Sequence, residues 1–279
     1  MAGRTSRVWF VTGASSGIGA AVADVALERG DVVAATFRDA TAASVFDASA
    51  VDAIGLVADV RERAQVDAAV ARAVAHSGRL DVIVNCAGYG LVGAVEELSD
   101  DELRDQVDVN LFGTQRVIRA ALPIFRAQRA GVVVNVSSVA GRVGYPGMGA
   151  YDASKGGVEL LSEALALEVG PLGIAVVVVE PGNIRTDWAG RSMRHAERVI
   201  DDYAATVGAS REFFAELDGH QLGDPEVVAR AVLDAVDGVP APGEVHRLIV
   251  GSDSHEWIAD HVHAEVEQLD AWVLSTDDD

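Results

Sequence analysis

Short apolar runs alternate with amphipathic stretches along the whole chain. The runs fall at residues 8–12 (VWFVT), 31–37 (DVVAATF), 53–60 (AIGLVADV), 80–88 (LDVIVNCAG), 131–138 (GVVVNVSS), 174–182 (IAVVVVEPG) and 246–251 (HRLIVG). Each is nearly continuous in Val, Ile and Ala, the signature of parallel strands buried on both faces. Between them the apolar spacing turns helical. Ile18, Val22, Val25 and Ala26 share one face of a helix over 17–29 that Gly30 closes. Further helices are expected at 61–76, from the Ser99–Glu102 capping box to about 128, and over 150–168, where Pro171 and Gly173 end it. Asp224-Pro225 reads as an N-cap followed by proline in the first turn, and 253–273 as a last helix. Strands alternating with helices predict an α/β protein: a doubly wound parallel sheet of about seven strands with helices on both faces. No linker or repeat divides the chain, so residues 1–279 are expected to form a single domain. Its least regular part, 188–223, stands where a substrate lid belongs, and the terminal STDDD is expected to fray.

Composition narrows the partners. The net charge is −21, which disfavours nucleic acid and anionic membrane surfaces. No apolar run approaches the length of a membrane span. The run from Val8 leads straight into a glycine loop, leaving no room for the apolar core of a signal peptide. With Cys86 as the one cysteine, a reducing, cytoplasmic compartment is expected. Of 22 basic residues only Lys155 is lysine, and only Asn85, Asn110, Asn135 and Asn183 are asparagine. In a chain that uses arginine almost everywhere, a lysine or an asparagine marks a position where that chemistry is needed.

The first strand meets the first helix through TGASSGIG, with Gly13, Gly17 and Gly19 spaced Gly-x3-Gly-x-Gly. Glycines in a first βα turn let backbone approach a pyrophosphate at a helix N-terminus, and so predict a Rossmann-type dinucleotide site. From here the chain resembles the classical short-chain dehydrogenases/reductases. Asp59-Val60, the Asn85-Cys86-Ala87-Gly88 element, Asn110, Ser138, Tyr151 and Lys155 (Tyr-x-x-x-Lys), and Pro181-Gly182-Asn183-Ile184-Arg185-Thr186 follow in that family's order. The resemblance implies that Ser15, Ser16, Ile18, Asn85, Ala87, Gly88, Pro181, Gly182, Ile184 and Thr186 join the glycines around the cofactor, with Asp59 and Val60 at the adenine. It implies that Asn110 holds a water in a proton relay to Lys155.

The candidate catalytic set is Asn110, Ser138, Tyr151 and Lys155. Tyr151 and Lys155 stand one helical turn apart, so an ammonium would lie beside a phenol and be expected to lower its pKa. Tyr151 would then act as general acid or base. Ser138 would steer the substrate oxygen, with Ser137 as the next candidate. The usual NAD-selecting acid is replaced by Phe37, while Arg38 offers a guanidinium to a 2′-phosphate. Asp39 is expected to cap the next helix instead. NADP(H) is therefore favoured, and NAD(H) stays open. Tyr89, Val143, Tyr145, Met148, Trp188 and Met193 are expected to line a substrate pocket, with Phe213 and Phe214 in the lid and Arg142 and Arg191 as polar contacts. Tyr145 and Trp188 lead among the substrate contacts. The substrate expected is a small hydrophobic ketone, aldehyde or alcohol, turned over by a homodimer or homotetramer. A silent dinucleotide-sensing or scaffolding protein of the same fold is the alternative. Cys86 is expected in the core, and Trp257, Leu269 and Trp272 are expected to pack the last helix rather than meet ligand. No metal site is expected, His255, His261 and His263 included.

Overall fold

The computed structural model describes residues 6–238 and 241–271. Its first half runs β1 (Val8–Val11), α1 (Gly17–Glu28), β2 (Val32–Phe37), α2 (Ala40–Asp47), β3 (Ala53–Val57), α3 (Arg63–Ser77), β4 (Val82–Asn85), β5 (Gly90–Val92), α4 (Asp100–Val107) and α5 (Gly113–Gln128). The rest runs β6 (Gly131–Val136), α6 (Gly149–Val169), β7 (Ile174–Pro181), β8 (Met193–His195), α7 (Ala209–Leu217), α8 (Pro225–Asp237), β9 (Val245–Val250) and α9 (Ser252–Ala271). Seven strands form one parallel sheet in the order β3-β2-β1-β4-β6-β7-β9. The winding reverses between β1 and β4, which opens a crevice beyond the carboxyl ends of the strands.

The continuous apolar runs are explained by burial on both faces. Val8 and Phe10 of β1, Ile83 of β4 and Ile174 and Val176 of β7 pack against α3, α5 and α6. Their neighbours Trp9, Val11, Val84, Val177 and Val179 point the other way, toward α1 and α8. The period-2 alternation is present, but with helices on both sides it leaves no polar face to read.

Three expectations change. The long helix from Ser99 is interrupted by a wide π-turn over Asp108–Phe112. At its centre the Asn110 side chain turns inward to bond the backbone of Tyr89, and that competition disturbs the helical ladder. The third helix starts at Arg63 rather than 61, because the Arg61 N–H is taken into a turn by Asp59 Oδ1 at 2.9 Å and Glu62 is still extended. The segment 188–223 is more regular than expected: β8 pairs with β5 in a two-stranded parallel sheet, and α7 follows. Glu97 anchors it. Its buried carboxylate accepts from the N–H groups of Ala94 and Ile200, each at 2.8 Å, and from Arg211 at 2.6 Å. Asp39 caps α2 through Ala42 N–H, as expected. The last helix begins one residue early, at Ser252. Its expected end at 273, Trp272 and the STDDD tail lie outside the described residues.

Candidate active site

The crevice holds a cavity of about 270 Å³. One end is the glycine loop. Gly13 has φ +69°, and a Cβ there would lie 2.8 Å from Ala87 N. A Cβ on Gly19 would lie 2.4 Å from the Gly13 carbonyl oxygen, so the loop closes only without side chains. Ser16 leads into α1 without a side-chain cap, and the first turn carries no carboxylate. The N–H groups there are left for an anion. Arg38, at the end of β2, lines the same cavity and makes no hydrogen bond or ion pair among the described residues. A glycine cradle, an uncapped helix start and a guanidinium facing the cavity fit a dinucleotide phosphate.

At the other end α6 presents Tyr151 and Lys155, which are 5% and 7% exposed. The Lys155 ammonium lies 5.7 Å from the centre of the Tyr151 ring and donates to the Val136 carbonyl at 2.8 Å. The expected lowering of the phenol pKa is not what this geometry produces. Burial holds Tyr151 above its ordinary range, a hydrogen bond from Ser138 draws it part-way back, and the neighbouring Asp152 adds to the rise. Burial also pushes the Lys155 ammonium down to about 8. The serine alternatives separate by partner. Ser138 acts on the Tyr151 phenol and its Oγ accepts from Ala140 N–H, whereas Ser137 faces Glu159, which shares Arg247 with Glu180.

Aromatic side chains wall this end. Trp188 packs on Tyr151 with ring centres 5.1 Å apart, and Phe214 packs edge-on against Trp188 at 5.8 Å. A family model described as short chain dehydrogenase matches residues 7–197, the stretch that carries both ends of the cavity. The chain belongs to the short-chain dehydrogenase/reductase family. Oxidoreductase BOA17 of Botryotinia fuckeliana (strain B05.10) is 40% identical to this family member over 256 residues, 90% of this chain and 91% of the relative. A short-chain dehydrogenase from Streptomyces avermitilis matches with a TM-score of 0.87 at 38% identity, over 96% of this chain and 97% of the other. A short chain dehydrogenase/reductase from Burkholderia phymatum in complex with NAD matches with a TM-score of 0.81 at 26% identity, over 98% and 97%. The chain is an NAD(P)-dependent short-chain dehydrogenase/reductase acting on CH–OH/C=O groups.

The structure gathers most, not all, of the expected site residues of this dehydrogenase/reductase around the cavity. Gly13, Ser15, Ser16, Gly17, Ile18, Arg38, Gly88, Ser138, Tyr145, Tyr151, Lys155, Pro181, Gly182, Ile184, Thr186 and Trp188 line it. Gly19, Asp59, Val60, Asn85, Ala87 and Asn110 stand behind the wall. Asp59 is held by Arg61, Val60 lies under Gly113, Asn85 bonds Asn135 at 2.8 Å, and Ala87 N–H donates to Thr12. Asn110 donates to Tyr89 O and Ser154 Oγ, both at 3.1 Å, and accepts from Tyr89 N–H. Asn110 and Lys155 both approach Gly88, where a Cβ would meet them at 3.1 and 3.7 Å.

Among the pocket candidates Tyr89, Met148, Phe213 and Phe214 line the cavity, and Val143 and Met193 do not. The two arginines expected as polar contacts are used elsewhere: Arg142 faces Glu180 and Arg191 pairs with Asp187. Trp257 corrects the opposite way. It lines the cavity, with its ring centre 6.0 Å from that of Tyr145, because α9 folds back over the crevice. Cys86 packs against the core and also reaches the cavity wall, and burial pushes its thiol up to about 11, away from reactivity. The sequence reading passed over Gln221, another lining residue, which lies in no pattern. Among the described residues no helix is long and apolar enough to cross a membrane, and no cluster of three His, Cys, Asp or Glu could hold a metal ion.

Proposed function

We propose that this enzyme interconverts a hydrophobic ketone or aldehyde and its alcohol, with NADP(H) as the preferred cofactor. The observation that carries the reading is one cavity with Arg38 and the glycine loop at one end and the Ser138–Tyr151–Lys155 group at the other. The dinucleotide supplies the hydride. Ser138 holds the substrate oxygen against Tyr151. In reduction the Tyr151 phenol donates its proton to that oxygen, and in oxidation the phenolate takes it back. Burial keeps Tyr151 protonated across the physiological range, which favours the acid role. Lys155 remains near enough to support the phenolate when it forms. Trp188, Phe214, Tyr145 and Trp257 keep water from the reacting carbon and favour an apolar substrate.

The preference for NADP(H) is supported by Arg38, which lines the cavity and makes no hydrogen bond or ion pair among the described residues, and by Phe37 in place of an acid. A panel of hydrophobic ketones, aldehydes and secondary alcohols, assayed with both cofactors at the nicotinamide absorbance, tests the reading. NADPH-linked turnover that vanishes in Tyr151→Phe is expected. Turnover on none of them, or a Tyr151→Phe variant as active as wild type, refutes it.

A further inference from the structure

Beyond Trp188, Ala189 and Ser192, the lid segment gives the cavity wall four more side chains: Phe213, Phe214, Leu217 and Gln221. Three are apolar. The fourth is a primary amide only 3% exposed. Its Oε1 is buried and has no hydrogen-bond partner. The next residue, Leu222, is 98% exposed, so the backbone turns the polar side chain inward and the large apolar one outward. That is the reverse of what folding alone selects. A buried amide oxygen left without a partner destabilises the free protein, and it persists where a ligand completes it.

The backbone on either side identifies that ligand. Residues 221–223 are stitched to the loop after β7. Ile184 and Gly223 form a parallel bridge, Gly223 N–H donates to Asn183 O at 3.1 Å, and Arg185 N–H donates to Gly223 O at 2.8 Å. The Arg185 guanidinium adds a bond to the Gln221 carbonyl at 3.3 Å. This loop spans the two ends of the cavity. The Thr186 side chain lies 3.1 Å from where a Cβ on Gly17 would stand, and Trp188 packs on Tyr151. The part of a bound dinucleotide that lies between a phosphate cradle and the proton donor is its nicotinamide riboside. The nicotinamide carboxamide offers N–H donors and one carbonyl acceptor, the complement of a glutamine amide.

We propose that Gln221 pairs with the nicotinamide carboxamide, amide to amide, so that the lid forms part of the cofactor site. The proposal rests on the dinucleotide reading above. Calorimetric titration of wild type and Gln221→Leu with NADP+, its 3-acetylpyridine analogue and 2′-phospho-ADP-ribose tests it. The analogue replaces the carboxamide NH2 with a methyl group, and phospho-ADP-ribose lacks the ring altogether. Gln221→Leu is expected to weaken NADP+ binding roughly tenfold, the analogue less, and phospho-ADP-ribose not at all. The unliganded variant is expected to melt no lower than wild type. Should leucine unfold the lid, Gln221→Met gives the same comparison with a straighter side chain. An equal loss for all three ligands, or none for NADP+, overturns the assignment of Gln221 alone. If none of the three binds wild type, the dinucleotide reading fails and takes this proposal with it.

Discussion

Replacing Lys155 with methionine is expected to stabilise the unliganded protein while ending turnover. The side chain is 7% exposed, and burial pushes its ammonium from 10.5 down to about 8. That interval corresponds to ~3 kcal/mol carried by the folded state at neutral pH. Methionine occupies the same channel with an unbranched, uncharged chain. It forfeits the bond to the Val136 carbonyl, a loss of about 1 kcal/mol. The net gain at pH 7 is then ~2 kcal/mol, a rise in Tm of roughly 4–8 °C for a chain of this size. Between pH 8 and 10.5 the unfolded chain binds the lysine proton and the folded one does not. Wild type therefore gains stability as pH rises through that window. The advantage of the variant shrinks over the same range and reverses near about pH 10. Thermal melts from pH 6 to 10.5 measure this directly. A variant that melts below wild type at pH 7, or an offset that does not change with pH, refutes the argument. Lys155→Arg completes the experiment, because it keeps the charge. The longer planar fork cannot take the lysine position against Val136 and Gly88, and turnover is expected to fall about a hundredfold. Near-normal turnover there would show that only charge is required.

Arg38→Asp is expected to weaken NADPH binding by roughly 10- to 100-fold and NADH binding far less, measured by titration; equal losses contradict the role given to Arg38. Asp152→Asn is expected to match wild-type stability near pH 4 and to gain on it up to pH 7. Burial pushes that carboxyl up to about 7, so folding favours its protonated form and wild type loses stability as it ionises. The same substitution removes a charge that raises Tyr151, so the alkaline limb for alcohol oxidation should move to lower pH; an unmoved limb would separate the two groups. Gly19→Ala is expected to lose cofactor affinity by about a hundredfold, because its methyl meets backbone at 2.4 Å and the loop must shift by the order of 1 Å; calorimetric binding equal to wild type would contradict it.

Periodicity alone was enough to place the seven sheet strands, since each is a nearly unbroken apolar run ended by glycine or a polar turn. The Tyr151–Lys155 pair was legible because four residues make one helical turn, and Lys155 stood out against a background of arginine. The pairing of β5 with β8 was not legible: three residues on each side, GLV and MRH, carry no alternation. The π-turn was hidden because its cause is a contact between Asn110 and Tyr89, 21 residues apart in sequence. Spacing also pointed the wrong way for the phenol. It set the ammonium beside Tyr151 but could not show how completely both groups are buried, and burial decides the sign. Trp257 and Gln221 reach the cavity through tertiary folding of segments whose local pattern is unremarkable.

With a single lysine in 279 residues, the side chain that serves Tyr151 is also the only primary amine in the chain apart from the N-terminal one. Burial leaves part of it uncharged at mildly alkaline pH, the form that attacks electrophiles. An amine-directed reagent small enough to enter the cavity therefore has one internal target. Its incorporation counts open sites, and a bound ligand protects all of the internal label at once. Lysine-directed crosslinking, surface immobilisation and dye conjugation have no surface side chain to use on this protein, and conditions that force them report on the catalytic centre instead.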